Sequence, residues 1–316
     1  MSRIRIATRG SALALVQARQ IAARIEAELA CQTELVILRT TGDRIQDRSL
    51  AKIGGKGLFV KEIEEALLDG RADVAVHSAK DVPARIAGGC VLAAYPERVD
   101  PRDALACRER GMGLADLSPG ARVGTGSTRR MALLRSLRPD LDLVPLRGNV
   151  PTRLGRLDPG DANEALDAVV LACAGLDRLG LSDRIDERIP TQTMLPAVGQ
   201  GLLALETRDE DAWRERIGRL EDPATGIVAR AERAFQSTLG GDCSVPLAGH
   251  AEIEGDGRLR FRGLVASLDG KTLARAEAQG PVSEAGPLGA RVAEAVLEAG
   301  GREILACLAE TSDVDG

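Results

Sequence analysis

Aromatic side chains are nearly absent from this chain of 316 residues, which holds one Trp, one Tyr and three Phe. Recognition of nucleic-acid strands relies on stacking rings set among basic groups. The formal net charge of −5 points the same way, so a nucleic-acid partner is not expected. Histidine is scarce too, at two residues, which leaves no His-rich metal centre. The six cysteines stand far apart, at positions 31, 90, 107, 173, 243 and 307, with no CxxC pair. Neither a disulfide framework nor a zinc site fits that spacing. Long apolar runs are missing as well: Ala168–Ala174 is far too short to span a bilayer. Residues 1–20 lack the apolar core of a signal peptide. The expectation is a cytoplasmic chain with no membrane partner and no metal and, since no interface segment stands out, a monomer.

Lysine is the last scarcity. Of 42 basic residues five are Lys, and four of these (Lys52, Lys56, Lys61, Lys80) fall within residues 52–80. Lys is a compact charge that can shed a proton, whereas Arg is a fixed planar fork. A chain that otherwise uses Arg and keeps Lys in one stretch either requires it at some of those positions or has clustered it by chance on exposed faces.

What is present is an alternation of strands and helices. Ile4 and Ile6 alternate with Arg, a loop follows, and Val16, Ile21, Ile25 and Leu29 recur at helical spacing. Further strands are expected at Leu35–Arg39, Asp73–His77 and Cys90–Tyr95, with a helix at Lys61–Leu68. Pro96–Arg102 breaks the pattern. A second run brings strands at Arg122–Thr125, Leu141–Leu146 and Ala168–Ala172, with a helix from about Ser127. Pro190–Pro196 is another break, after which a strand (Leu202–Glu206) and a helix (Asp209–Leu220) are expected. Such alternation predicts α/β layers around mostly parallel sheets. Beyond Asp222-Pro223 a long helix to Leu239, three strands (Leu247–Ile253, Leu259–Ser267, Thr272–Ala278) and two closing helices read as α+β.

The chemistry concentrates in loops at strand ends. Thr8-Arg9-Gly10-Ser11 lies between a strand and a helix start, where free N–H groups favour anions; taken alone it also fits a capped helix with a surface arginine. Thr125-Gly126-Ser127-Thr128-Arg129-Arg130 is more telling. Two arginines in a first helical turn oppose the helix dipole, and an anionic ligand would offset them. Arg147-Gly148-Asn149-Val150-Pro151-Thr152-Arg153 follows another strand. Gly54-Gly55-Lys56-Gly57-Leu58-Phe59 fits a lid and is not a Walker loop, since Leu50 and Gly57 break that pattern. In Val76-His77-Ser78-Ala79-Lys80-Asp81, His77 reads as a hydrogen-bonded structural group. Asp81 among cations can stabilise a developing positive charge, or simply pair with Lys80. Cys90, Cys173 and Cys307 sit in apolar runs and are expected in the core, and Cys31 and Cys107 have no polar cluster around them. Cys243, in the loop Gly240-Gly241-Asp242-Cys243-Ser244, suggests covalent chemistry, with a small turn residue as the plain alternative.

In order, the segments ATRGSALAL, GGKGLFVKEIE, VHSAKDVP, GTGSTRR, LRGNVPTR, LPAVGQG and GGDCSVP resemble the porphobilinogen deaminase family over nearly the whole chain. The resemblance implies two α/β domains like those of periplasmic binding proteins, joined by hinge crossovers, and a small C-terminal α+β domain. The boundaries would be 1–98 with 199–220, then 99–198, then 221–316. It implies that four porphobilinogen molecules are joined head to tail, each losing ammonia, to give hydroxymethylbilane on the route to heme. The primer is a dipyrromethane cofactor held by a thioether, and the matching sulfur is that of Cys243. Asp81 matches the acid that binds the pyrrole N–H groups and stabilises the cation left by ammonia. The positions that bind acetate and propionate carboxylates are matched by Arg9, Ser11, Lys80, Ser127, Arg129, Arg130, Arg147, Arg153 and Arg178; Arg suits paired carboxylate oxygens. Thr125 belongs to the same motif, Lys56 and Phe59 match a mobile loop, and Gln17 and Gln200 match cleft positions. Departures are Asp242 before Cys243, Leu166 in place of a common Tyr, and a short insertion at 158–165. Two rival classes remain: a non-catalytic anion-binding protein, and a transferase using Cys243 as nucleophile in each turnover with His250 as its base.

Overall fold

Strand β1 (Arg3–Arg9) buries Ile4, Ile6 and Ala7 and runs parallel to β2 (Gln32–Leu38) and β3 (Val74–Ser78). The computed structural model describes residues 3–41, 60–158, 165–240 and 245–314. Helix α1 (Ala12–Leu29) begins where Ser11 Oγ accepts from Ala14 N at 3.3 Å, and it lays Ala18, Ile21 and Ile25 on Ile4 and Ile6. Helix α2 (Lys61–Leu68) covers the other face with Ile63, Ala66 and Leu67 against Ala7 and Ala75. Two more strands, β4 (Cys90–Ala94) and the distant β10 (Leu203–Arg208), complete a five-stranded sheet of order β2-β1-β3-β10-β4.

The second sheet comprises β5 (Asp103–Cys107), β6 (Arg122–Thr125), β7 (Asp142–Pro145), β8 (Ala168–Ala172) and β9 (Glu187–Ile189), in the order β7-β6-β8-β5-β9. Both sheets are mixed rather than mostly parallel. In the first, β10 is antiparallel to β3 and β4; in the second, β5 is antiparallel to β8 and β9. Each odd strand starts just after the chain has crossed from the other sheet. The parallel strands end at the loops facing that crossing, so an arriving segment must run the opposite way. Sequence pattern passes over β5 and β9 because one is built on small residues and the other is three residues long.

Helix α7 (Pro223–Leu239), capped by Asp222 Oδ1 accepting from Thr225 N at 2.8 Å, opens the last part of the chain. It follows α3 (Thr128–Leu137), α4 (Val150–Leu154), α5 (Cys173–Arg178) and α6 (Ala212–Gly218). An antiparallel meander of β11 (Leu247–Ile253), β12 (Arg258–Ala266) and β13 (Leu273–Pro281) packs under α7 and α8 (Ala285–Val296), with Phe235 and Phe261 ring centroids 5.0 Å apart. Helix α9 (Arg302–Val314) closes the chain, and Cys307 is exposed on it rather than in the core, because Ile304 takes the inward face of that turn. Ala248, Leu264 and Ala266 share one core with Leu133, Met194 and Leu195, which joins the third sheet to the second. At the crossings, Arg98 Nη1 reaches the buried Glu232 Oε1 at 2.7 Å, and Glu232 Oε2 accepts from Gly199 N at 2.6 Å.

Candidate active site

The C-terminal ends of β1 and β3 open onto a cleft into which Arg9, Ser11, Gln17, Ser78 and Asp81 converge. Strand ends are where open α/β sheets place ligands. Gln17 is buried on α1 and its Nε2 donates to Ser78 Oγ at 3.0 Å. Asp81 ends a single 3-10 turn, Ala79–Asp81, closed by Val82 N donating to Ala79 O at 3.2 Å. The turn is anchored on the second crossing, since Ala79 N donates to Leu202 O at 3.0 Å. Gly199, at φ +74°, lies against it: a Cβ there would stand 2.8 Å from Lys80 N. Among the described residues no group hydrogen-bonds to the half-buried Asp81 carboxylate. Its charge nevertheless favours the protonated forms of Lys80 and Arg153.

The cations facing Asp81 come mostly from the second sheet. Burial pushes the Lys80 ammonium down to about 8, and Arg130 adds repulsion. The Arg153 guanidinium is lowered to about 10 by burial and then by Arg130 and Arg147. Its Nε donates to Gly148 O at 2.8 Å. Arg178, likewise lowered to about 10 by burial, donates to Gly201 O at 3.1 Å. These groups carry positive charge that the fold itself does not favour.

The arginine pair at the start of α3 behaves differently from the sequence expectation. Ser127 caps the helix, Oγ accepting from Arg130 N at 3.4 Å. The charge of Arg129 and Arg130 is met inside the chain by Asp103, a fully buried carboxylate at the first residue of β5. Arg129 Nη2 donates to both Asp103 oxygens at 2.9 and 2.8 Å, and Arg130 Nε to Oδ1 at 2.9 Å. The two guanidiniums hold the Asp103 carboxyl below its ordinary range despite burial. Gln200 joins the network from the second crossing, donating to Pro101 O at 2.7 Å and Asp103 Oδ1 at 2.9 Å. Thr125 is fully buried with its hydroxyl turned to Val170 O at 3.3 Å, so that side chain does not reach the cleft. His77 is the structural group expected, its Nε2 2.8 Å from the buried Glu206. Cys31 does have a polar neighbour, Arg216 Nη2, at 2.6 Å from its sulfur. Lys56, Phe59 and Cys243 lie outside the described residues.

Replacing Asp103 by Asn keeps the shape and removes the counter-charge of two buried guanidiniums. Breaking such a network from one side costs about 3–5 kcal/mol, which a urea denaturation curve would register. Because the Asp103 carboxyl is depressed in the folded chain, its contribution is complete above the ordinary carboxylate range. It is lost as pH falls through the depressed value, so the stability gap between the two proteins should narrow below about pH 4. An unchanged unfolding midpoint at neutral pH would remove this role.

The cleft thus defines a class: a two-sheet α/β protein whose facing strand ends gather cationic side chains around the Asp81 carboxylate, with a third, α+β unit attached. The sequence profile of "Porphobilinogen deaminase, dipyromethane cofactor binding domain" matches residues 4–216, and that of "Porphobilinogen deaminase, C-terminal domain" matches residues 227–298. Porphobilinogen deaminase of Syntrophus aciditrophicus is 51% identical over 307 residues, covering 96% of this chain and 97% of that protein. The enzyme of Bordetella parapertussis is 49% identical over 314 residues, covering 99% and 98%. The chain belongs to the porphobilinogen deaminase family, transferases of tetrapyrrole biosynthesis with a dipyrromethane cofactor.

Proposed function

We propose that this cleft joins porphobilinogen units head to tail around Asp81, with the primer tethered through the Cys243 sulfur. The observation that carries the reading is the half-buried Asp81 carboxylate, unengaged by described hydrogen-bond donors and flanked by cations whose charge burial disfavours. Each pyrrole brings an acetate and a propionate, so a dipyrromethane fits this set of groups: its carboxylates would add negative charge beside Lys80, Arg153 and Arg178, whose own charge burial disfavours. Arg9, Ser11, Ser127, Arg130, Arg147 and Arg153 would hold carboxylates, while Arg129, Gln200 and Asp103 fix Arg130 from behind. When bound, the dipyrromethane supplies the nucleophilic pyrrole carbon to which the first unit is added.

Asp81 acts on the incoming substrate. Accepting hydrogen bonds from the pyrrole N–H, it orients the ring. As the bond to the amine breaks and ammonia leaves with the electron pair, the fixed carboxylate opposes the positive charge left on the substrate. Lys80 and Arg153 steady the substrate carboxylates. A division into domains 1–98 with 199–220, 99–198 and 221–316 would make the two crossings hinges beside this site. A cytoplasmic monomer is part of the same reading; among the described residues no helix is long and apolar enough to cross a membrane.

The reading is tested by supplying porphobilinogen alone: four ammonia molecules should be released for each linear tetrapyrrole. The Lys80 position adds a pH signature. With its ammonium lowered to about 8, Lys80 loses charge above that value, and carboxylate binding must then also bring a proton. KM should therefore rise as pH passes about 8, and Lys80→Arg, which stays charged, should flatten that rise. A KM equally flat in the parent would remove Lys80 from the binding set.

A further inference from the structure

We infer that Arg233 is a positioning residue for Asp81: reaching across from α7, it fixes the loop that leaves the carboxylate. The inference rests on the role given to Asp81 above. Arg233 Nη1 donates to Val82 O at 3.1 Å and Nη2 to Ala84 O at 3.0 Å. These carbonyls flank Pro83, whose ring fixes the local backbone, so one planar fork grips a rigid three-residue segment. Gln236, buried on the next turn of α7, supports the fork: its Oε1 accepts from Arg233 Nη1 at 3.0 Å. The Val82 side chain is buried in one cluster with Tyr95 and Ala229 of α7. The Asp81 turn is thereby held at both ends, by Leu202 O at Ala79 and by Arg233 at Val82 and Ala84.

Arg98 is met by Glu232, and Arg129 and Arg130 by Asp103; Arg233, like Arg178, donates to main-chain carbonyls instead. Arg233 has no carboxylate partner among the described residues, and burial lowers its affinity for the proton. A desolvated cation satisfied by neutral acceptors alone costs stability. What it secures is geometry: helix α7 is locked to the turn that carries Asp81.

The test uses cofactor-loaded enzyme, with loading checked by intact mass. Arg233→Met should lower kcat about 10- to 100-fold with KM unchanged within about threefold, the signature of a misplaced group rather than a lost binding contact. Arg233→Lys should recover little, since one ammonium does not span both carbonyls. In an Asp81→Glu background, where the acid is already displaced, Arg233→Met should cost distinctly less than in the parent. Equal cost in both backgrounds, or a parental kcat in Arg233→Met, overturns the inference. Should Arg233→Met not load cofactor, Gln236→Leu decides, with a smaller kcat loss at constant KM expected and a parental kcat counting against the inference. Normal turnover in Asp81→Asn would instead remove the reading of Asp81, and is told apart from a failure at Arg233 by that variant alone.

Discussion

Cys243→Ser is expected to purify at the mass of its bare sequence and to show no turnover. Attachment needs a sulfur nucleophile, because the thiolate is the reactive form and a serine hydroxyl stays protonated without an adjacent base. The nearest histidine in sequence gives no such base: His250 is buried on β11, with Nδ1 3.7 Å from Glu232 Oε1, and belongs to the packing of the third sheet. The same observation weighs against Cys243 as a nucleophile in every turnover. The serine protein should still fold, since the network of Arg98, Glu232 and Gly199 that ties α7 to the crossings does not involve the loop. A folded Cys243→Ser enzyme with parental activity would contradict the tether.

Asp81→Ala should retain the cofactor and lose about 10²–10³-fold in kcat, the scale seen when one pre-set electrostatic partner of a transition state is removed. Retention is expected because, on this proposal, the carboxylates of a bound dipyrromethane would be met by arginines and Lys80, and no described hydrogen bond ties the arginines to Asp81. The loss is expected because the described residues place no second carboxylate among the cleft-lining side chains. His77 cannot substitute: it is buried against Glu206. A variant that keeps most of its rate would show that another group opposes the developing cation.

Local pattern made much of this architecture legible. Helices α1 and α7 follow from apolar spacing and caps, and α2 from spacing alone; Ser11, Ser127 and Asp222 are the N-caps of α1, α3 and α7. The loops that carry Arg9, Asp81 and Arg130 were visible as strand ends. What stayed hidden depends on long-range pairing. The double arginine of α3 signals a nearby anion, but the sequence does not say that the anion is Asp103, 26 residues earlier for Arg129, just past the charged break at Pro96–Arg102. A carboxylate just after a crossing, at the start of a strand of small residues, is the signal that could have found it. Gln200 and Arg233 were missed as structural links for the same reason: each acts on a main-chain or side-chain partner in another unit. The mixed sheets follow from the crossings, which periodicity within one segment does not record.

Intact mass of the purified protein, before and after addition of porphobilinogen, tests the central claim most directly. The account predicts a chain heavier than its sequence by two linked pyrrole units, then a ladder of further species, each one porphobilinogen less one ammonia heavier than the last. An active protein at the mass of the bare chain, with no ladder, would contradict it.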